Sequence, residues 1–177
     1  MKNARFLLGC SLVVLATVLR IVPHPWNLTP VGAVSLFAGA TFDRRRWAFA
    51  IPLGAMFLGD TLLELLTGHG YHSLMPVVYA TFAVIVCFGM VLRSRRRSPL
   101  AVGSGAVASA TLFFIVTNFA MWTISTIYPH TFAGLVACYI GGIPYYGTML
   151  IGDVVFSALL FGTFVCIEHR VPRFAER

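Results

Sequence analysis

Six apolar runs joined by short polar connections fill most of this sequence, and their lengths limit what the chain can fold into. A helix that spans the bilayer core needs about 20 apolar residues, and most of the runs approach that length. Charged residues make up 11% of the chain, whereas soluble domains carry about 25%. The sequence therefore predicts an all-α membrane protein in which residues 1–177 form a single transmembrane domain of six helices. The runs are approximately Phe6–Val22, Pro30–Phe42, Trp47–Leu66, Pro76–Leu92, Ala101–Ile127 and Gly147–Ile167.

Two segments depart from the simple spanning pattern. The second run has about 13 residues, which is short for a crossing, and we expect its small residues to let neighbouring helices shield it closely. Between the fifth and sixth runs, residues 128–146 contain Gly141, Gly142 and Pro144, which predict a short interfacial or re-entrant piece. The first run resembles a signal peptide but lacks a small-residue cleavage site, so we expect an uncleaved helix.

The basic residues predict the orientation of the helices, because positive charge near helix ends is held on the cytoplasmic side. Twelve of the thirteen Lys and Arg residues fall near the two termini, in Asp43–Arg46 or in Arg93–Arg97, and the exception is Arg20. Both termini are therefore expected in the cytoplasm. The net charge of +7 comes from these short clusters and not from a stripe on a soluble face, so no nucleic-acid partner is predicted.

Polar and ionisable residues concentrate in the outer halves of the predicted helices. A charge within a bilayer costs about 2.5–3.5 kcal/mol on insertion scales, and such residues usually face the bundle interior and mark function. Asp60 and Asp153 each lie about 9 Å from an outer helix end. This asymmetry predicts a cavity that opens to the outside. The predicted substrate-binding residues are Arg20, Asn27, Asp60, Asn118, Trp122 and Asp153.

Each predicted residue has a chemical role in this hypothesis. Arg20 binds an anionic group of the solute or neutralises the two carboxylates, which accept hydrogen bonds or pair with a cation. Asn27 and Asn118 fix the orientation of the solute, and Trp122 offers a stacking face. Structural roles stay open: Arg20 could reach the headgroups or form an ion pair, Asn118 could bond to a neighbouring helix, and Trp122 could belong to an aromatic belt.

Four histidines also lie in the outer half or its loops, and several imidazoles on one side could bind Zn²⁺, Ni²⁺ or Co²⁺. They are His24, His69, His72 and His130. Loop histidines without fixed geometry are more often simple polar residues, so no metal ligand and no cofactor is assigned. The sequence contains no HExxH, GxSxG or phosphate-binding loop. It therefore predicts no catalytic residue, and a protein that is not an enzyme.

Several segments resemble an uncharacterised family of small bacterial integral membrane proteins, over about Arg20 to Gly162. They are "RIVPHPWNLTPVGAVSLFAGA", "NFAMW", "YPHTFAGLVACYIGGIPYYGTML" and the "GD" pairs that end in Asp60 and Asp153. That family is similar in turn to the substrate-binding (S) components of energy-coupling factor transporters. The resemblance implies six helices in the bacterial cytoplasmic (inner) membrane, a vitamin or metal ion held near the outer surface, and a coupling subunit with ATPases.

Together these patterns predict a membrane protein that captures a small polar solute from the outer side and contributes to its uptake. One alternative is a membrane-embedded enzyme on a lipid-linked substrate, with His24 or His130 as acid or base beside an aspartate. It predicts turnover that a single histidine replacement abolishes, whereas capture predicts tolerance of His24→Ala and loss with Asp60→Asn. Another is a non-catalytic assembly subunit, which predicts no buried cavity and no co-purified small molecule.

Overall fold

The described part of the protein is built from six α-helices and one short 3₁₀ turn. A computed structural model describes residues 2–19 and 30–170. The α-helices are α1 Lys2–Leu19, α2 Val31–Thr41, α3 Arg45–Thr67, α4 Met75–Leu92, α5 Pro99–Ile124 and α6 Phe132–Arg170, with the 3₁₀ turn at Arg93–Arg95 between α4 and α5. No strand occurs in these two ranges. The prediction of an all-helical chain is confirmed over them.

Four helices are long and apolar enough to cross a membrane, namely those from Arg45, Met75, Pro99 and Phe132. In α1 the apolar stretch, Phe6–Leu15, is shorter than a span, and α2 is also too short. With its 11 residues, α2 is about 16 Å long, about half the thickness of the hydrocarbon core. Six complete spans therefore stay a prediction, whereas four candidate spans are observed in the described residues.

Helix α2 lies at the centre of the bundle, and residues 32–40 are all buried. It runs parallel to α4, because Gly39 crosses Gly89 and the next turn brings Phe42 beside Arg93. The crossing is so close that a Cβ at Gly39 would overlap the carbonyl oxygen of Val86. This contact confirms the expectation that small residues in the second run allow close helix approach.

Helix α6 also runs parallel to α2, and it packs antiparallel to α5. On the α2 side, Phe37 meets Phe161 and Phe164 edge to face, with ring centroids 5.2 Å and 5.5 Å apart. On the α5 side, the Tyr139 hydroxyl donates to the carbonyl oxygen of Ile115 at 2.8 Å. Since α2, α4 and α6 share one direction, residues 43–46, residues 93–97 and the end of α6 meet at one end of the bundle. We call this the basic end.

The sequence predicts a separate interfacial or re-entrant piece at residues 128–146. That prediction is wrong for residues 132–146, which belong to α6. Residues 132–170 form one continuous helix of 39 residues with Pro144 inside it, about 58 Å long. Gly142 does not break the helix, because it lies where a Cβ would overlap the Asn118 side chain and so permits close packing on α5. Helical continuity also satisfies backbone groups that lipid cannot hydrogen-bond.

Candidate functional site

The six predicted substrate-binding residues fall into three groups in the structure. Arg20 and Asn27 lie outside the described residues, as does His24. Asp60 and Asp153 are buried inside the bundle, with 4% and 2% of their surface exposed. Asn118 and Trp122 lie on the hairpin formed by α5 and α6. The two aspartates are therefore the part of the predicted site that the fold shields from lipid.

Asp60 lies in the half of α3 away from the basic end and contacts α4. The Tyr79 hydroxyl donates a hydrogen bond to Oδ2 of Asp60 at 2.7 Å. The chain turns back closely here, because a Cβ at Gly70 would overlap the Asp60 carbonyl oxygen. Tyr79 is not among the predicted residues, although its position about one turn into the fourth apolar run places a phenol in the same half of the bundle as Asp60.

Asp153 holds the beginning of α2. Its Oδ1 accepts a hydrogen bond from the backbone N–H of Ala33 at 3.1 Å. The residue before α2 is Pro30, which makes no side-chain cap, so the carboxylate of α6 serves as the cap. A carboxylate is favourable there because the first N–H groups of a helix lack partners and carry the positive end of its dipole. Gly32 leaves the necessary space, since its Cβ would overlap both carboxylate oxygens.

Counting residues along their helices places the two aspartates at similar distances from the basic end. Asp60 follows Arg45, the first residue of α3, by fifteen positions, and Asp153 precedes the buried Glu168 by the same number. At 1.5 Å per residue each aspartate lies about 22 Å along its helix from a charged residue at that end. The helices therefore carry both carboxylates well away from the basic end, as the sequence pattern predicts.

The other polar groups predicted at the outer end make local contacts. Oε2 of Glu64 accepts hydrogen bonds from the backbone N–H groups of Gly70 and Tyr71 at 2.8 Å and 3.0 Å, which anchors the loop after α3. The Asn118 amide donates to the carbonyl oxygen of Phe114 in its own helix at 2.8 Å. The indole N–H of Trp122 donates to the carbonyl oxygen of Pro129 at 3.0 Å. The contacts of Glu64 and Trp122 hold loops, that of Asn118 stays within α5, and none of these described contacts joins Asn118 or Trp122 to the aspartates.

A groove of about 370 Å³ lies between α4 and α5. Its lining is almost entirely apolar, and none of the six predicted residues contributes to it. Its walls are Pro76, Val77, Ala80, Thr81, Val84, Leu112 and Val116. The groove is therefore not the polar cavity that the sequence predicts.

The metal hypothesis gains no support in the part of the chain that the structure describes. No group of three or more His, Cys, Asp or Glu side chains comes close enough to hold an ion within residues 2–19 and 30–170. The His130 ring instead packs against Trp122 with ring centroids 5.6 Å apart. Metal binding by a set that includes His24 stays a prediction.

The sequence reasoning also missed a buried acid at the basic end. Glu168 is 2% exposed and pairs with Arg97 at 2.7 Å and with Arg96 at 3.6 Å. Arg93 directs its guanidinium to the carbonyl oxygens of Gly39 and Phe42 at the end of α2. Cations suit the C-terminal end of a helix because the last carbonyl groups there lack partners. A carboxylate late in an apolar run beside a basic segment is the sequence signal for such a pair.

Four apolar candidate spans around a buried central helix indicate a multi-pass helical membrane protein. The chain matches a family described as a family of unknown function, DUF6580, over residues 1–174. Because the match covers nearly the whole sequence, the protein belongs to that family. No curated protein matches the chain, and no solved structure does.

Proposed function

We propose that the protein is a solute-binding membrane transport protein that captures a small polar solute at the end of the bundle opposite the basic end. The observation that supports it most is the burial of the Asp60 and Asp153 carboxylates, at similar distances along their helices from the basic end, inside a largely apolar bundle. A charged side chain in such a bundle is costly and is by default a functional candidate.

The hydrogen bond described for each aspartate does not in itself require a charge. An asparagine oxygen could accept the hydrogen bond from Tyr79 or from the Ala33 N–H, and Asn caps helices about as well as Asp. An amide would also avoid the desolvation cost of a carboxylate. The choice of carboxylates therefore supports a partner that needs negative charge, such as a cationic group of a solute or of Arg20.

The uptake role belongs to the same proposal. A binding site at the outer end, reached from the side opposite the basic end, suits a protein that hands its solute to other subunits. The resemblance to S components supports a coupling subunit with ATPases as partners, and a vitamin-like molecule or a metal ion as solute.

A structural role in an assembly is the second candidate. It is favoured by the contacts of Glu64 and Trp122, which hold the protein's own loops, and by that of Asn118, which stays within its own helix. Under that role the polar groups at the outer end serve folding, and no small molecule accompanies the purified protein.

The test compares wild type, Asp60→Asn and the matched control Glu64→Gln, each purified in mild detergent from the same bacterial host. Small molecules released on denaturation are identified by mass spectrometry. We expect a reproducible compound with wild type and Glu64→Gln that is lost with Asp60→Asn, because the amide keeps the shape and the Tyr79 contact while removing the charge. No compound with wild type, or equal amounts with all three proteins, would refute the proposal.

A further inference from the structure

The basic end of the bundle carries arginines of two kinds. Three of them have partners within the protein. Arg93 caps the end of α2 and lies 3.9 Å from Asp43, and Arg96 and Arg97 hold Glu168. These three contribute to the fold.

Four other arginines, all between residues 44 and 95, are exposed and form no ion pair within the described residues. They are Arg44, Arg45, Arg46 and Arg95, which we call the arginine patch. The two segments of the patch are neighbours, because Arg93 on one contacts Asp43 on the other. No acidic residue lies in the first turn of α3 to offset the charge, and Asp43 faces Arg93. The patch therefore concentrates uncompensated positive charge on one surface.

The patch lies at the start of a helix that could span a membrane. Arg45 is the first residue of a helix that is long and apolar enough to span. Directly after the patch, Trp47 is partly exposed and packs on Phe6, with ring centroids 5.8 Å apart. The Arg46 guanidinium lies 5.2 Å from the centre of the Trp47 ring. Tryptophan and arginine at a helix end are typical of the headgroup level of a bilayer.

We infer that the arginine patch binds the phosphate groups of anionic phospholipids in the adjoining leaflet. Arginine suits phosphate because its planar guanidinium donates two parallel hydrogen bonds. Basic segments next to a membrane helix attract anionic lipid strongly. A lipid is favoured over a soluble anion because its headgroup already lies at the level of Trp47, so its charge is offered at high local concentration. This inference is independent of the proposed solute site.

The experiment titrates the purified full-length protein in mild detergent with phosphatidylglycerol, and counts bound lipids by native mass spectrometry. Phosphatidylcholine and inorganic phosphate are the comparison probes. The test variant is Arg44→Gln with Arg45→Gln and Arg46→Gln. The control variant, Arg170→Gln with Arg173→Gln and Arg177→Gln, removes the same number of charges from the last residue of α6 and the sequence after it. Circular dichroism checks the helix content of each protein.

We expect the test variant to bind phosphatidylglycerol about tenfold or more weakly than wild type, while the control stays within about threefold of wild type. Phosphatidylcholine should bind weakly to all proteins, and millimolar phosphate should not displace the lipid. Equal losses in both variants, an equal preference for phosphatidylcholine, or displacement by phosphate would each overturn the inference. If the triple variant loses helix content, Arg45→Gln with Arg95→Gln is measured by the same criteria.

Discussion

Asp153 offers a quantitative test of how the centre of the bundle is held. Asp153→Ala removes the acceptor for the Ala33 N–H and leaves a buried donor at the start of α2. A hydrogen bond to a charged group contributes about 1.5–3 kcal/mol, so a loss of that size is expected. Asp153→Asn keeps an oxygen in place, and its loss should be smaller, about 1 kcal/mol or less, because only the interaction of the charge with the helix dipole is removed.

A double-variant cycle isolates this contact. In wild type, Gly32→Ala forces the Asp153 carboxylate away, because all the nearest atoms to the added methyl group belong to that side chain. We expect a loss similar to that of Asp153→Ala. In the Asp153→Ala background the same change should be neutral or stabilising, since alanine favours helix by about 1 kcal/mol over glycine. Unfolding by denaturant in mild detergent gives the four free energies. Additive losses, or an Asn variant as unstable as the Ala variant, would refute the capping argument.

Two further predictions concern packing and charge. Gly39→Ala should lower the midpoint of thermal unfolding by about 5 °C or more, because the added methyl group would overlap the backbone carbonyl of Val86. Gly54 has open space around it, so Gly54→Ala should leave the midpoint unchanged or raise it. Equal effects from both changes would contradict the close helix crossing. Glu168→Gln should lower the free energy of unfolding by about 1.5–3 kcal/mol. Arg97→Gln should lower it clearly less, since the Arg97 side chain is half exposed and exposed pairs contribute little. The reverse order in denaturant titrations would refute the pairing.

The sequence predicts the helices well and their spanning lengths less well. Long apolar runs without charge leave the chain few ways to satisfy its backbone in lipid, so α3, α4 and α5 begin and end close to the predicted residues. The residues at which α5 ends and α6 begins are harder to predict from the sequence. Gly141, Gly142 and Pro144 are ordinary breaking signals in water, but packing on α5 and the absence of water keep α6 continuous through them.

The sequence predicts the depth of the site but not its contacts. Depth follows from counting residues along a helix, and both aspartates lie far from the basic end as expected. Which donor each carboxylate accepts a hydrogen bond from depends on which faces of the helices pack together. Neither the Tyr79 hydroxyl nor the Ala33 N–H has a periodic signal that points to its partner. For Glu168 the sequence signals a pair with a basic residue but not which arginines form it.

The described contacts give the two aspartates different expected roles. A solute that drew the Asp153 carboxylate toward itself would remove the cap of α2, so binding there opposes the stability of the central helix. Among the described contacts, the Asp60 carboxylate accepts a hydrogen bond from the Tyr79 phenol of α4, whereas the start of α2 is held by Asp153. Solute binding is therefore expected to depend on the charge of Asp60, while the charge of Asp153 is expected to affect mainly stability. Loss of a co-purified compound with Asp153→Asn at unchanged stability would reverse this assignment.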